Sequence, residues 1–255
     1  MNAISPLALR RCVALIAGAA GCVAGLSGCA TAPAENPAAA TERYQSLIAS
    51  PIRTDQDRRM DASRRPAEFL PFTQAKPGMM ALDVVAGGGY TSQLIALAVA
   101  PGGKLWAQSQ RPGPALLKRL ADNPQAGFII AERTVEDPVP PDAPKLDLIT
   151  IVNNYHDISY LPIDRAKMNA RLFAALKSGG RLVIVDHSGR SGTGITEGKT
   201  LHRIDEAVVR TEVLQAGFVL DAEGSFLRNP ADSRTESSNE PKVPTDKFAL
   251  RFVKP

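Results

Sequence analysis

The chain has 255 residues, 44% apolar and 22% charged, the balance of an ordinary globular protein rather than a disordered or fibrous one. Lys and Arg total 30 against 26 Asp and Glu, and Arg10 and Arg11 are the only charged residues before Glu35, so the remainder is near neutral and no nucleic-acid partner is expected. The three cysteines, Cys12, Cys22 and Cys29, all lie at the N-terminus, which excludes a disulfide, a thiolate metal centre and a cysteine nucleophile from the rest of the chain.

Arg10 and Arg11 precede an apolar stretch from Cys12 to Leu26, the charged and hydrophobic regions of a secretory signal. The stretch is short and glycine-rich for a membrane-spanning helix. Leu26-Ser27-Gly28-Cys29 resembles the bacterial lipobox. That resemblance implies removal of a signal peptide over residues 1–28 and acylation of Cys29. One acyl chain binds membrane only reversibly, at ~0.8 kcal/mol per buried CH₂, whereas several together anchor stably. Ala30, not Asp, follows the cysteine, which points to the periplasmic face of the outer membrane. Residues 29–42 are rich in Pro and Ala and read as a tether, and 43–255 as one domain.

Within that domain the charges from Arg53 to Arg65 alternate in sign, as on a solvated helix face, and Gln56 to Gln74 reads as a leading helical segment over a ligand cleft. Short apolar strands then alternate with helices. The strands are Met80–Val85, Lys104–Gln108, Gly127–Glu132, Leu146–Val152 and Gly180–Val185. Helices follow near Tyr90–Val99, Pro114–Ala121, Asp164–Leu176 and Leu201–Ala216, while a Pro-rich loop, Val135–Pro144, follows the third strand. The strands lack polar alternation and so are buried on both faces. Two last strands, Phe218–Ser225 and Phe248–Val253, have no helix between them. The pattern predicts a Rossmann-like doubly wound α/β sheet of about seven strands, the last antiparallel, with helices on both faces.

Leu82-Asp83-Val84-Val85-Ala86-Gly87-Gly88-Gly89-Tyr90 spans the first strand-to-helix turn, where glycines let backbone approach a ligand at a helix N-terminus. An acidic residue followed by glycines resembles the first motif of class I S-adenosylmethionine-dependent methyltransferases. Asp83, Gly87 and Gly89 match, with Gly88 between them, and Val85 stands at the first glycine position. The resemblance implies that these residues, with Asn153, hold S-adenosyl-L-methionine. The second strand of the family ends in an acid that binds the ribose, and here it ends in Gln108. A neutral hydrogen bond contributes ~0.5–1.5 kcal/mol against ~1.5–3 for a charged one, so weaker cofactor binding is expected.

The three histidines, His156, His187 and His202, all belong to the carboxyl edge of the strands, where doubly wound folds bind ligands. Val152-Asn153-Asn154-Tyr155-His156-Asp157 and Lys177-Ser178-Gly179-Gly180-Arg181-Leu182 to Asp186 resemble later motifs of small-molecule methyltransferases. The O-methyltransferase branch uses the His of a His-Asp-Trp sequence as general base. His156-Asp157 matches and Ile158 departs, so His156 and Asp157 are the candidate catalytic pair, with positioning or loop capping by His156 as the alternative. Tyr155, His187 and His202 are placed on the substrate side. His202 and Asp205 lie one helical turn apart and can pair. His187, His156 and an aspartate are metal-capable types, but no tight ligand spacing calls for a metal and none is expected. Ser188–Gly198 has the composition of a mobile lid. Leu201-His202-Arg203-Ile204-Asp205 with Leu227 to Asp232 resembles a group of exported methyltransferase-like proteins.

The expectation is therefore a lipid-anchored methyltransferase using S-adenosyl-L-methionine on a small-molecule acceptor. The rival is a ligand-binding lipoprotein that keeps the fold without the chemistry, favoured by Val85, by Gln108 and by export away from the cytoplasmic cofactor supply. A nicotinamide oxidoreductase fits less well, for want of the dinucleotide fingerprint and the ribose acid.

Overall fold

In the computed structural model residues 36–255 are described; the signal segment and Cys29 lie outside the described residues. Helix α1 (Pro37–Ile48) starts where Asn36 accepts a hydrogen bond from the Ala38 amide at 3.0 Å, with proline in the first turn and alanines propagating it. The tether composition therefore ends in a helix that begins six residues before its expected limit. The Tyr44 hydroxyl and the Arg43 guanidinium both donate to the Ala75 carbonyl, at 2.9 and 3.1 Å.

The leading segment is two helices, α2 (Asp55–Arg64) and α3 (Pro66–Thr73). A proline clashes with a helical residue before it, and Arg65 instead turns to φ 49° and breaks the run. Thr54 and Asp57 form a capping box at the start of α2.

The sheet comprises β1 (Met80–Val84), β2 (Lys104–Gln108), β3 (Phe128–Ala131), β4 (Leu146–Val152), β5 (Leu176–His187), β6 (Val219–Gly224) and β7 (Lys247–Val253), in the order β3-β2-β1-β4-β5-β7-β6. β1 to β5 are parallel and β7 runs antiparallel to both β5 and β6, as the sequence predicts. The connecting helices are α4 (Tyr90–Val99), α5 (Pro114–Asp122), α6 (Tyr155–Ile158), α7 (Arg165–Ala175), α8 (Gly198–Leu201) and α9 (Glu206–Gln215). Alternate strand residues feed separate cores. Ala81, Leu105, Leu148 and Val183 pack with α4, while Leu82, Ile149, Ile151 and Ile184 pack with Met168, Leu172, Val209 and Val213. Strand order reverses between β1 and β4, which opens a crevice at their carboxyl ends.

Two further expectations are corrected. The helix foreseen over 201–216 is divided: α8 ends at Leu201, His202 takes φ 51°, and Asp205 caps α9 by accepting from the Ala207 amide at 3.0 Å. The loop after β5 is tied down rather than free. Its Gly189 amide donates to the Ile204 carbonyl and its Gly192 amide to Asp205 Oδ2, both at 2.7 Å, and Arg190 pairs with Glu197. Among the described residues no helix is long and apolar enough to cross a membrane.

Candidate active site

The glycine turn after β1 borders a cavity of about 520 Å³, lined on the other sides by α2, one face of α5 and the loop after β4. That volume is in the range of small-molecule sites. Gly87 takes φ 56° and a side chain there would project into open space, so its backbone faces the cavity. Gly89 takes φ 84° and must stay bare for another reason: a Cβ would lie 2.9 Å from both Arg119 Nε and Leu116 Cδ1. Gly88 lines the cavity, and its carbonyl accepts from Arg119 Nε at 3.0 Å. Arg119 also forms a buried two-pronged pair with Asp57, 2.8 Å on each arm, which joins the roof helix α2 to the turn.

Val85 holds φ 57°, a left-handed conformation that a β-branched residue adopts only under constraint. The constraint is visible. The Val85 amide donates to Gln108 Oε1 at 2.8 Å, and its carbonyl accepts from Asn154 Nδ2 at 3.1 Å. Gln108 Nε2 in turn donates to the Arg133 carbonyl at 2.6 Å, and Gln108 is 1% exposed. Its amide is thus committed to backbone on both sides and does not line the cavity. This corrects the ribose role given to Gln108. The two departures from the family pattern are coupled, since the amide replacing the acid holds the residue replacing the glycine.

Asp83 is buried at the end of β1, accepting from Ser92 Oγ at 2.5 Å and Thr150 Oγ1 at 2.7 Å. Burial raises its pKa to about 6 against the opposing effect of those two hydroxyls and the nearby Arg64 charge. Arg64 lines the same cavity, its guanidinium 5.7 Å from the Tyr90 ring centroid; burial pushes its pKa below the usual value, against the pull of Tyr90, Asp83 and Asp186. Among the described residues none accepts a hydrogen bond from that guanidinium. Asn153, also lining the cavity, sits at φ 55° with its buried Oδ1 lacking a partner.

The three histidines do converge. The His156 ring lies 5.8 Å from that of His187 and 5.5 Å from that of His202, centroid to centroid. His156 is buried between two carboxylates, with Nδ1 2.6 Å from Asp186 Oδ1 and Nε2 3.2 Å from Asp157 Oδ1. Burial pulls its pKa down, but Asp186 and Asp157 outweigh that and raise it to about 9. The same contacts hold Asp157, despite burial, at about 2. With the ring an imidazolium at neutral pH, His156 has no lone pair for an acceptor proton. The general-base role is therefore not supported by this geometry, while the positioning alternative fits it. Its backbone amide also donates to Asp186 Oδ2 at 2.8 Å.

Tyr155 leaves the substrate side altogether. It is fully buried, donating to Glu212 Oε2 and accepting from Asn169 Nδ2, both at 2.8 Å, and so braces α6 against α7 and α9. His187 Nδ1 lies 2.9 Å from Thr245 Oγ1; burial, then the charges of Lys247 and His156, hold its ring neutral with a pKa of about 2. His202 does not pair with Asp205, which caps α9; its Nδ1 lies 3.0 Å from Asp157 Oδ1.

No protein-family profile matches the sequence, and no curated protein matches it. Solved structures do. An S-adenosylmethionine-dependent methyltransferase from Aquifex aeolicus is 16% identical with a TM-score of 0.57, over 83% of this chain and 97% of that one. The N-methyltransferase NodS from Bradyrhizobium japonicum WM9 is 15% identical with a TM-score of 0.53, over 79% of this chain and 98% of that one. The chain has the methyltransferase fold. At these identities the likeness establishes the architecture, and the site must be argued from its own residues.

Four of those residues escaped the sequence reading. Arg64 and Asp57 sit in a charge run that looks like solvated surface. Lys247, whose Nζ donates to the Ser63 carbonyl at 3.0 Å, is lowered by burial to about 8, and Asp186 ends an apolar strand. No local spacing marks any of them, because their partners are distant in the chain.

Proposed function

We propose that the protein is a methyltransferase that uses S-adenosyl-L-methionine to methylate a small-molecule acceptor, and that the full chain is an exported lipoprotein held at the periplasmic face of the outer membrane through Cys29. One observation carries the reading. A cavity floored by an open glycine turn carries a buried carboxylate, Asp83, and a guanidinium without a hydrogen-bond partner, Arg64, within each other's field. That pair suits the ammonium and carboxylate of an amino-acid moiety. The backbone at Gly87 and the free Oδ1 of Asn153 leave polar positions for the rest of a nucleoside-linked ligand. The cofactor supplies an electrophilic methyl group. The chain supplies alignment, which can lower a barrier by ~7–11 kcal/mol without any base.

The engagement of both His156 ring nitrogens by Asp186 and Asp157 favours a second reading, a ligand-binding lipoprotein without transfer activity, since it leaves no ring nitrogen free to act as the expected base. Calorimetry with S-adenosylhomocysteine, followed by transfer of labelled methyl to a panel of phenols, amines and carboxylates, separates the two. Binding with transfer supports the enzyme. Binding without transfer across the panel supports the second reading, and no binding overturns the first.

A further inference from the structure

The His156 cluster is over-determined for a loop cap. Asp186 is fully buried and accepts three hydrogen bonds: from the His156 amide at 2.8 Å, from the His187 amide at 2.7 Å and from His156 Nδ1 at 2.6 Å. A carboxylate bonded to one imidazole nitrogen directs the other outward and makes it a stronger ligand, the usual support behind a metal-bound histidine. The outward nitrogen, Nε2, faces Asp157 Oδ1 at 3.2 Å, and His202 Nδ1 reaches the same oxygen at 3.0 Å. These ligand atoms all lie within 4.8 Å of one another. The two imidazoles stand nearly perpendicular, at 89°.

His202 arrives there by several unusual means. It holds φ 51°, a strained conformation for a residue with a side chain. Ser238 fastens it, Oγ donating to the His202 carbonyl at 2.9 Å. The adjoining Arg203 is wholly buried, bonded to Asp232 and to the Ser188 and Glu236 carbonyls. Gly198 lets α8 close on α6, since a Cβ there would lie 2.7 Å from Ser159 Oγ and 2.9 Å from the His156 carbonyl.

We propose that His156 Nε2, Asp157 and His202 Nδ1 bind a divalent transition-metal ion, zinc being the best match, with Asp186 orienting His156 from behind. Zinc bonds nitrogen and oxygen at about 2.0–2.2 Å, which at a tetrahedral angle puts neighbouring ligand atoms about 3.4 Å apart, near the two nitrogen spacings to Asp157 Oδ1, 3.2 and 3.0 Å. Binding releases the proton that His156 Nε2 shares with Asp157. Two imidazoles and one carboxylate leave a position open to solvent or substrate, and Asp157 and His202 are part-exposed, so an ion can enter. His187 is not a ligand: its Nδ1 is engaged by Thr245 Oγ1, and it stands outside the group of ligand atoms that lie within 4.8 Å of one another. The proposal reverses the expectation of no metal and does not depend on cofactor binding.

The test is titration of the full chain, stripped with a chelator, with Zn²⁺ by calorimetry and with Co²⁺ by visible absorption. One equivalent should bind. His202→Asn, which tolerates the left-handed conformation, and Asp157→Asn should each weaken binding by about tenfold or more while thermal unfolding stays cooperative. Three results overturn the proposal. They are no uptake of either ion, uptake unchanged in both variants, and a Co²⁺ spectrum with thiolate charge-transfer bands, which would place the ion on the N-terminal cysteines. The Co²⁺ spectrum of the parent chain decides the matter even if a variant fails to fold.

Discussion

Replacing Asp83 with Asn should stabilise the ligand-free protein at neutral pH and weaken its affinity for S-adenosylhomocysteine. The buried carboxyl has its pKa raised from 3.8 to about 6, so its ionised form is the disfavoured one in the folded state. The sign follows. A carboxyl whose pKa is raised on folding favours the folded state below the unfolded value and loses that advantage as pH rises through the folded value. A shift of about two units corresponds to on the order of 3 kcal/mol at pH 7. Asn keeps the shape, and the Ser92 and Thr150 hydroxyls can reorient to serve both its oxygen and its nitrogen. Urea unfolding of parent and variant between pH 4 and 8 reads this directly. The variant's advantage over the parent should grow between about pH 4 and pH 6, stay level above that, and shrink toward pH 4, where the folded carboxyl is neutral. Calorimetry with S-adenosylhomocysteine at pH 7.5 should show clearly weaker binding by the variant, because a neutral amide oxygen can accept from the ligand ammonium but no longer offers it an opposite charge. Destabilisation by Asp83→Asn across the whole range, or unchanged ligand affinity, would refute this account of the carboxylate.

Gly87→Val should leave a folded protein that no longer binds S-adenosylhomocysteine, since a branched side chain at φ 56° both strains the turn and projects into the cavity; normal binding in a calorimeter would move the ligand elsewhere. Gln108→Asp, which the family pattern alone would suggest as a gain, should weaken binding and stability by about 1–3 kcal/mol, because the shorter acid cannot serve both the Val85 amide and the Arg133 carbonyl. The loss should shrink in a Val85→Gly background, and a double-mutant cycle by urea unfolding with no coupling would contradict the clamp. Asp57→Ala leaves Arg119 buried and unpaired and should cost about 3–5 kcal/mol in the same assay. Cys29→Ser should yield an unprocessed precursor that takes up no labelled palmitate; undiminished labelling would remove the lipid anchor.

The chain's own order of residues determined the architecture. Uninterrupted apolar strands alternating with amphipathic helices can bury both sheet faces only in a doubly wound arrangement, and the helix-free last pair of strands marked the antiparallel end. Asp83 and the glycines were legible too, because a tight turn against a helix N-terminus is a local requirement written in adjacent positions. The convergence of the three histidines followed from the same topology, which sends every strand end to one edge. Their states did not. His156 as a cation, His187 as a neutral ring and His202 bonded to Asp157 depend on charges brought from β5, α6 and β7 in three dimensions. Gln108 is the sharpest case. A strand-end amide reads as a weakened ligand contact from sequence, and only the fold shows that Val85 and Arg133, 23 residues before it and 25 after, claim both of its polar atoms. Secondary structure is set by neighbours in the chain, but protonation and hydrogen-bond partnership are set by neighbours in space, and those exist only once the chain has folded.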